Sequence, residues 1–200
     1  MKKEIFDKWS AQYDQDVTRD NFPFSGYEKT LEKLINSQRI THSTQILEIG
    51  VGTGFLLSKF YDNGAQCYGF DFSEQMLHIA EEKMLSALLF QHDLKNGIPE
   101  KIKKAKFSMI LAGYVLHHFQ WEEKIRIIQQ YLSLLKKEDG RMYIFDVSFR
   151  TKKDYDQYRR EHLDVWDDDE HYFIASEMTK HFENCDYIQF SDCGGLYTIL

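Results

Sequence analysis

The sequence has few of the residues that interrupt or cross-link a fold. Its 200 residues include only 2 prolines and 11 glycines, which excludes collagen-like and proline-rich disordered chains. The 3 cysteines, Cys67, Cys185 and Cys193, lie far apart and form no CxxC pair, so neither a disulfide framework nor a cysteine-based zinc site is predicted. This cysteine usage fits a reducing, cytoplasmic location best.

The sequence also lacks long apolar runs and an excess of positive charge. No segment approaches the roughly 18 consecutive apolar residues of a membrane span, and no apolar run follows the charged amino terminus, so we expect no membrane partner. The formal net charge of −7 opposes phosphate backbones and disfavours nucleic acid as a partner. With 42% hydrophobic residues, the chain can bury the core of one domain, while its oligomeric state stays open.

Short apolar runs alternate with helical periodicities along the chain, which is typical of a parallel sheet with crossover helices. The predicted strands cover residues 45–49, 66–70, 87–91, 107–112 and 141–145, and a closing hairpin joins 186–190 to 196–200 through a turn at Gly194-Gly195. The predicted helices cover residues 26–40, 55–61, 73–83 and 121–136. We therefore predict an α/β fold with a mostly parallel seven-stranded sheet, helices on both faces and an antiparallel carboxy-terminal hairpin strand.

Three glycines alternate directly after the first predicted strand, at Gly50, Gly52 and Gly54. Ligands of open parallel sheets lie beyond the carboxyl ends of the strands, and glycines there let a ligand approach the backbone. A dinucleotide fingerprint would need a glycine at Phe55, and a P-loop would need a lysine after Gly54. Nicotinamide-dependent oxidoreductases and nucleoside triphosphatases are therefore disfavoured.

An acidic residue, Glu48, leads into this turn, and Asp71 follows at the next predicted strand end, where a carboxylate can accept both hydroxyls of a ribose. Residues 47–54 (LEIGVGTG), 69–77 (GFDFSEQML), Asp93 and 112–118 (AGYVLHH) together resemble the successive motifs of the class I S-adenosylmethionine-dependent methyltransferases. The resemblance spans residues 40–147. The segment 6–14 is similar to the amino-terminal arm of an uncharacterised bacterial, small-molecule branch of that family.

This resemblance implies a Rossmann-like methyltransferase fold, S-adenosylmethionine as the cofactor and methyl transfer to a small-molecule acceptor. It divides a single domain, 1–200, into an arm and helix (1–40), a cofactor-binding core (45–147) and a candidate substrate lid (148–184). The alternative is a non-catalytic module that binds S-adenosylmethionine or S-adenosylhomocysteine for regulation.

The resemblance also implies which residues bind the cofactor: Trp9, Tyr13, Glu48, Gly50, Gly52, Gly54, Asp71, Phe72, Met76 and Asp93. The first two glycines of the turn would contact the methionine part, and Asp71 would contact the ribose. Phe72 and Met76 would pack near the adenine, whose amino group would donate to Asp93.

The candidate catalytic residues are Tyr114, His117 and His118, just after the fourth predicted strand. A histidine there can remove the proton of an attacking oxygen or nitrogen, but the same pair can equally pack at a helix start. Asp146 and Tyr13 are weaker candidates of the same kind. Because the sulfonium is already activated, methyl transfer needs no base. The other histidines are spaced too irregularly for a metal site, so no metal is expected.

Two segments are candidates for covering the site. Phe6, Trp9 and Tyr13 recur at helical spacing, so the arm has an aromatic face that either packs permanently on the body or closes over bound cofactor. The acidic run 167–170 is either a solvated helix end or part of a lid that selects a cationic ligand.

Overall fold

A mixed sheet with helices on both faces organises the chain, whose computed structural model describes residues 3–200 and side chains from residue 7 onward. Its strands are β1 (Gln45–Ile49), β2 (Gln66–Asp71), β3 (Leu88–Gln91), β4 (Met109–Gly113), β5 (Arg141–Phe149), β6 (Phe173–Ile174), β7 (Cys185–Gln189) and β8 (Gly194–Ile199). The α-helices of the described residues are α1 (Lys3–Val17), α2 (Tyr27–Ser37), α3 (Phe55–Asp62), α4 (Glu74–Lys83), α5 (Trp121–Leu132), α6 (Lys152–Glu161) and α7 (Ala175–His181). No α-helix of this described part is long and apolar enough to cross a membrane.

The strand order is β3-β2-β1-β4-β5-β8-β7, and the short β6 pairs with the end of β5. The five strands β1 to β5 are parallel to one another, whereas β8 is antiparallel to both β5 and β7. The predicted α/β class and closing hairpin are confirmed, but the described sheet has eight strands rather than seven, because Ser148 and Phe149 extend β5 far enough to pair with β6. The direction of strand addition reverses between β1 and β4, where open sheets bind ligands.

Both faces of the sheet are covered, as the alternation of its side chains requires. Ile46 and Leu47 on β1 point to opposite faces, and both are 0% exposed. Ile46 joins a core that includes α2 and α3, whereas Leu47 joins a core that includes α5 and α7. These two apolar layers hold the carboxyl ends of the parallel strands in one row.

Several predicted boundaries were wrong, and the largest error concerns β5. The prediction ended this strand at residue 145, but β5 runs to Phe149 and carries Asp146 in its interior. Three backbone N–H groups donate hydrogen bonds to the buried Asp146 carboxylate. Because the charge is stabilised in this way, the strand can continue past it. The helices predicted at 26–40 and 121–136 are shorter, and α5 ends at Leu132.

The hairpin turn was also misplaced. Gly194 and Gly195 lie within β8 and not in the turn before it. The side chains of Phe190 and Tyr187 occupy the space that β-carbons at these two positions would need. The two glycines therefore allow β8 to pack closely against β7 and the residue that follows it. They do not form the hairpin turn.

Candidate active site

A cavity of about 420 Å³ lies at the carboxyl ends of β1, β2 and β4, beside the switch point of the sheet. Its size falls within the range of small-ligand sites. The structure brings these sequence-predicted residues together in its wall: Trp9, Tyr13, Gly50, Gly52, Asp71, Phe72, Met76, Tyr114, His117 and His118. Glu48, Gly54 and Asp93 lie outside that wall.

The glycine turn between β1 and α3 has two distinct functions. Gly50 and Gly52 have φ values of 70° and 52°, in the left-handed region that favours glycine. A β-carbon at Gly50 would collide with Val115, so this glycine permits close packing of two loops. A β-carbon at Gly52 would meet nothing within 4 Å, so it would project into the space of the cavity. Gly52 therefore leaves room for a ligand against the backbone.

Asp71, at the end of β2, joins this turn to the next one. Its Oδ2 accepts a hydrogen bond of 2.9 Å from the Gly52 N–H, and its Oδ1 accepts one of 2.9 Å from the Ser73 N–H. Burial raises the pKa of the carboxyl, although these backbone hydrogen bonds oppose the rise. Each carboxylate oxygen can accept more than one hydrogen bond, so Asp71 can also accept ribose hydroxyls from the cavity side.

The start of α4 positions Phe72 and Met76, the residues expected to contact the adenine, in the cavity wall. Ser73 caps this helix, as predicted, because its Oγ accepts a hydrogen bond of 3.2 Å from the Met76 N–H. The cap fixes the chain so that Phe72 and Met76 both reach the cavity wall. An apolar surface of this kind suits a flat heterocycle.

The three expected residues outside the wall have other surroundings. Glu48 is 2% exposed, burial raises the pKa of its carboxyl well above the usual value, and its Oε2 has no hydrogen-bond partner among the described residues. Gly54 starts α3 with a φ of 76°, and a β-carbon there would collide with Met84. Asp93 accepts from the Lys95 N–H at 2.9 Å and caps a short 3₁₀ turn.

Helix α1 lies over the cofactor motifs. Asp7 Oδ1 accepts from the Ser73 hydroxyl at 2.5 Å, and Asp14 accepts from the Thr53 hydroxyl at 2.5 Å and pairs with Lys83. These contacts place Trp9 and Tyr13 in the cavity wall, while the side chain of Phe6 lies outside the described residues. The arm thus covers the turn after β1 and the start of α4.

At the other end of the cavity, a 3₁₀ turn after β4 holds His117 between two carboxylates. Its Nδ1 lies 2.6 Å from Asp146 Oδ1, and its Nε2 lies 3.4 Å from Glu170 Oε1. Burial lowers the pKa of His117, but these carboxylates outweigh burial and raise it to about 9. At neutral pH His117 is therefore protonated, with a hydrogen bond to Asp146 and an ion pair with Glu170.

The neighbouring groups respond to that charge. Burial and the positive charge of His117 lower the pKa of His118 to about 3, so His118 is neutral. Burial raises the pKa of Glu170, but hydrogen bonds from His117 and Tyr172 outweigh it and lower that pKa to about 2. Tyr114 has a φ of 50°, is 7% exposed, and its hydroxyl has no hydrogen-bond partner among the described residues.

Sequence reasoning left open whether the acidic run 167–170 is a solvated helix end or part of a lid. Asp167, Asp169 and Glu170 reach the cavity wall rather than forming only a solvated helix end. A buried lysine, Lys124 on α5, holds this segment by donating to the carbonyl of His171. Lys124 would have been a usable signal, because a lysine on the buried face of an amphipathic helix needs a partner.

Comparisons of the sequence identify its relatives. A family model described as a methyltransferase domain matches residues 46–138. An uncharacterised methyltransferase of Alkaliphilus oremlandii is 30% identical over 184 residues, which cover 90% of this chain and 81% of that protein. Another from Bacillus cytotoxicus is 33% identical over 159 residues, which cover 76% of this chain and 70% of that protein.

Solved structures show the same fold. The complex of DhpI with SAH has a TM-score of 0.73 at 16% identity and covers 99% of this chain and 94% of that one. The magnesium protoporphyrin IX methyltransferase of Synechocystis PCC 6803 has a TM-score of 0.69 at 17% identity and covers 98% of both chains. With the sequence relatives, the expected fold and family are confirmed: the chain belongs to the family of class I S-adenosylmethionine-dependent methyltransferases.

Proposed function

We propose that the protein transfers the methyl group of S-adenosylmethionine to a small-molecule acceptor bound beside Tyr114, His117 and His118. One observation carries this proposal: a single cavity joins Gly52 and Asp71 at one end with those three side chains at the other. The cofactor supplies a methyl group that its sulfonium activates for attack. The family membership favours this transferase over a non-catalytic binding module.

The residues of the cofactor end fit that cofactor. Gly52 leaves open space against the backbone, and Asp71 offers carboxylate oxygens to ribose hydroxyls. Phe72 and Met76 form an apolar surface for the adenine. The complexes of DhpI with SAM or SAH support this choice, since their chains share the fold.

The residues of the acceptor end orient the nucleophile and exclude water. The buried Tyr114 hydroxyl lacks a partner among the described residues, and such a group is costly unless a ligand satisfies it. Asp146 fixes the His117 ring, whose Nε2–H can donate to a lone pair of the acceptor. Because the methyl group is already activated, orientation and dehydration account for most of the rate in this proposal.

A small acceptor fits the enclosure of the cavity. Helix α1 contributes Trp9 and Tyr13 to one side of the wall, and Asp167 and Glu170 contribute to another. The net charge of −7 supports the exclusion of nucleic acid as the acceptor. Free thiols at the cysteines, two of them buried, support a cytoplasmic location.

The test uses S-adenosylmethionine labelled in its methyl group, incubated with a bacterial lysate separated into low-molecular-weight and macromolecular fractions. We expect label in the small-molecule fraction and none with a Gly52→Val variant. Calorimetric titration of S-adenosylhomocysteine should show binding that Asp71→Ala weakens by about 1–3 kcal/mol. Label in protein or nucleic acid would contradict the proposed acceptor class, and unchanged binding by a folded Asp71→Ala protein would contradict the cofactor assignment.

A further inference from the structure

Three side chains that can ligate a metal meet at the acceptor end of the cavity. The ligand atoms of His117, His118 and Glu170 all lie within 4.8 Å of one another. Glu170 Oε1 is 3.4 Å from His117 Nε2 and 3.7 Å from His118 Nδ1. Metal bonds of about 2.0–2.1 Å at tetrahedral angles place ligand atoms about 3.3 Å apart. We infer that His117, His118 and Glu170 bind one divalent cation of the first transition series.

The surroundings of His117 are those of a metal ligand. Asp146 Oδ1 accepts from its Nδ1 at 2.6 Å, which leaves Nε2 directed toward Glu170. A carboxylate behind a ligating histidine fixes the tautomer and the ring orientation and raises the basicity of the ligand nitrogen. Asp146 is itself held by the backbone N–H groups of Leu116 and His117 at 3.2 Å, which fix the position of its carboxylate behind His117.

The third ligand, Glu170, is also supported. The Tyr172 hydroxyl donates a hydrogen bond to its carboxylate. Lys124 donates to the carbonyl of the next residue, His171, and this fixes the backbone that carries Glu170. A modest approach of His118 to the other two ligands completes a site of two histidines and one carboxylate.

The site is open toward the cavity. His117, His118 and Glu170 all belong to the cavity wall, so an ion held by them would keep coordination positions facing the acceptor space. Two further carboxylates, Asp167 and Asp169, line the same space, whereas no lysine or arginine lines it in the described part of the chain. This distribution of charge favours a cation.

The donor set selects the class of ion. Two imidazole nitrogens and one carboxylate oxygen suit Zn²⁺, Fe²⁺, Co²⁺ or Mn²⁺, whereas Mg²⁺ and Ca²⁺ prefer oxygen ligands. Metal binding would displace the Nε2 proton of His117 into solvent, because a ligating histidine nitrogen is unprotonated. If the proposed function holds, the ion would then take the place of that N–H against an acceptor oxygen, nitrogen or sulfur and make that group more acidic. The acceptor would then belong to the class of metal-chelating hydroxyl, thiol or carboxyl compounds.

The experiment titrates full-length protein, treated with EDTA and desalted, with Zn²⁺ by calorimetry and with Co²⁺ by visible absorption. We expect one ion per chain, a Co²⁺ ligand-field spectrum, and no binding of Mg²⁺ at the same concentration. Glu170→Gln and His118→Asn should each weaken binding by at least about tenfold. The matched control is His78→Asn, because His78 and Glu82 form an exposed pair 3.6 Å apart on α4, and this variant should bind like the parent.

Circular dichroism of each variant shows whether metal binding is lost because a metal-binding side chain is missing or because the protein is unfolded. The test needs only one of Glu170→Gln and His118→Asn to fold. The inference is overturned if the parent shows no saturable site, if binding persists in a folded Glu170→Gln or His118→Asn protein, or if His78→Asn abolishes it. Titration of S-adenosylhomocysteine into the same samples tests the proposed function separately. Cofactor binding without metal binding would overturn only this inference, and metal binding without cofactor binding would overturn only the proposed function.

Discussion

The two ends of the cavity are constructed differently. The cofactor end comes from a continuous stretch, in which Gly52 donates to Asp71 only 19 positions later. The acceptor end joins His117 to Asp146, 29 positions away, and to Glu170 on a third segment. Backbone groups shape the first end, whereas buried charged side chains shape the second. Substitutions at the acceptor end should therefore cost mainly stability, and those at the cofactor end mainly ligand affinity.

The largest effect is expected at Asp146. Replacing it with asparagine leaves the N–H groups of Leu116, His117 and Val147 and the imidazolium of His117 without a buried anion. We expect the free energy of unfolding in urea to fall by about 3–5 kcal/mol. Asp186→Asn, at an exposed position on β7, is the control and should change it by less than about 0.5 kcal/mol. Equal losses in both variants would contradict the special role of Asp146.

A pH dependence should follow from His117 in the metal-free protein. Its pKa rises from 6.5 to about 9 on folding, so the native state binds this proton more tightly than the unfolded state. The resulting stabilisation, about 3 kcal/mol, is fully present below pH 6.5 and is lost as the pH rises toward 9. Urea unfolding in EDTA across this interval measures it. The slope should disappear in His117→Gln and persist in His78→Asn, and a slope retained in His117→Gln would assign the effect to another group.

The glycine turn allows a test at the cofactor end. Gly52→Val places a side chain in the ligand space, and we expect the affinity for S-adenosylhomocysteine to fall by at least about 100-fold, or about 2.7 kcal/mol. Gly97→Val is the matched control, because Gly97 also has a positive φ, 75°, and open space around its β-carbon position, but lies outside the cavity wall. Both variants carry backbone strain, which is larger at Gly97 because its φ of 75° with a ψ of −154° is a region almost confined to glycine, and only Gly52→Val should lose binding. Tight binding by a folded Gly52→Val protein would remove the turn from the site.

The smallest expected effect concerns the cover formed by α1. Asp14→Ala removes the contacts to Thr53 and Lys83 and should weaken S-adenosylhomocysteine binding about fivefold, or about 1 kcal/mol, because the cover opens more often. Glu32→Ala, at an exposed position on α2, is the control. Amide hydrogen exchange in residues 7–17 should slow when ligand is added. Exchange that is equally slow with and without ligand would make α1 a permanent structural element.

Much of the cofactor end was predictable because its signals are local. The glycines of the turn, Asp71 and the Ser73 cap each follow a strand that alternation or an apolar run identifies, and a parallel sheet places strand ends in one row. The role of Asp93 stays a prediction. Its carboxylate lies outside the cavity wall and caps a 3₁₀ turn by accepting from the Lys95 N–H, and its second oxygen can still accept from a ligand.

The acceptor end was less predictable, since its parts have no common spacing. His117 and His118 were recognised as candidates, but their charges depend on Asp146 and Glu170, which no local pattern joins to them. The acidic run 167–170 has the composition of a solvated surface. The buried lysine of α5, the pairing of β6 with β5 and a backbone hydrogen bond from His171 to His117 bring part of it to the cavity.

The sequence by itself determined the α/β class, the strand that precedes each motif and the glycine turn, because periodicity and turn chemistry act over a few residues. The tertiary structure alone decided that β5 continues past Asp146, that two carboxylates raise the pKa of His117, and that Glu170 meets His117 and His118. Burial sets the energy of a charge, and burial depends on which distant segments pack together.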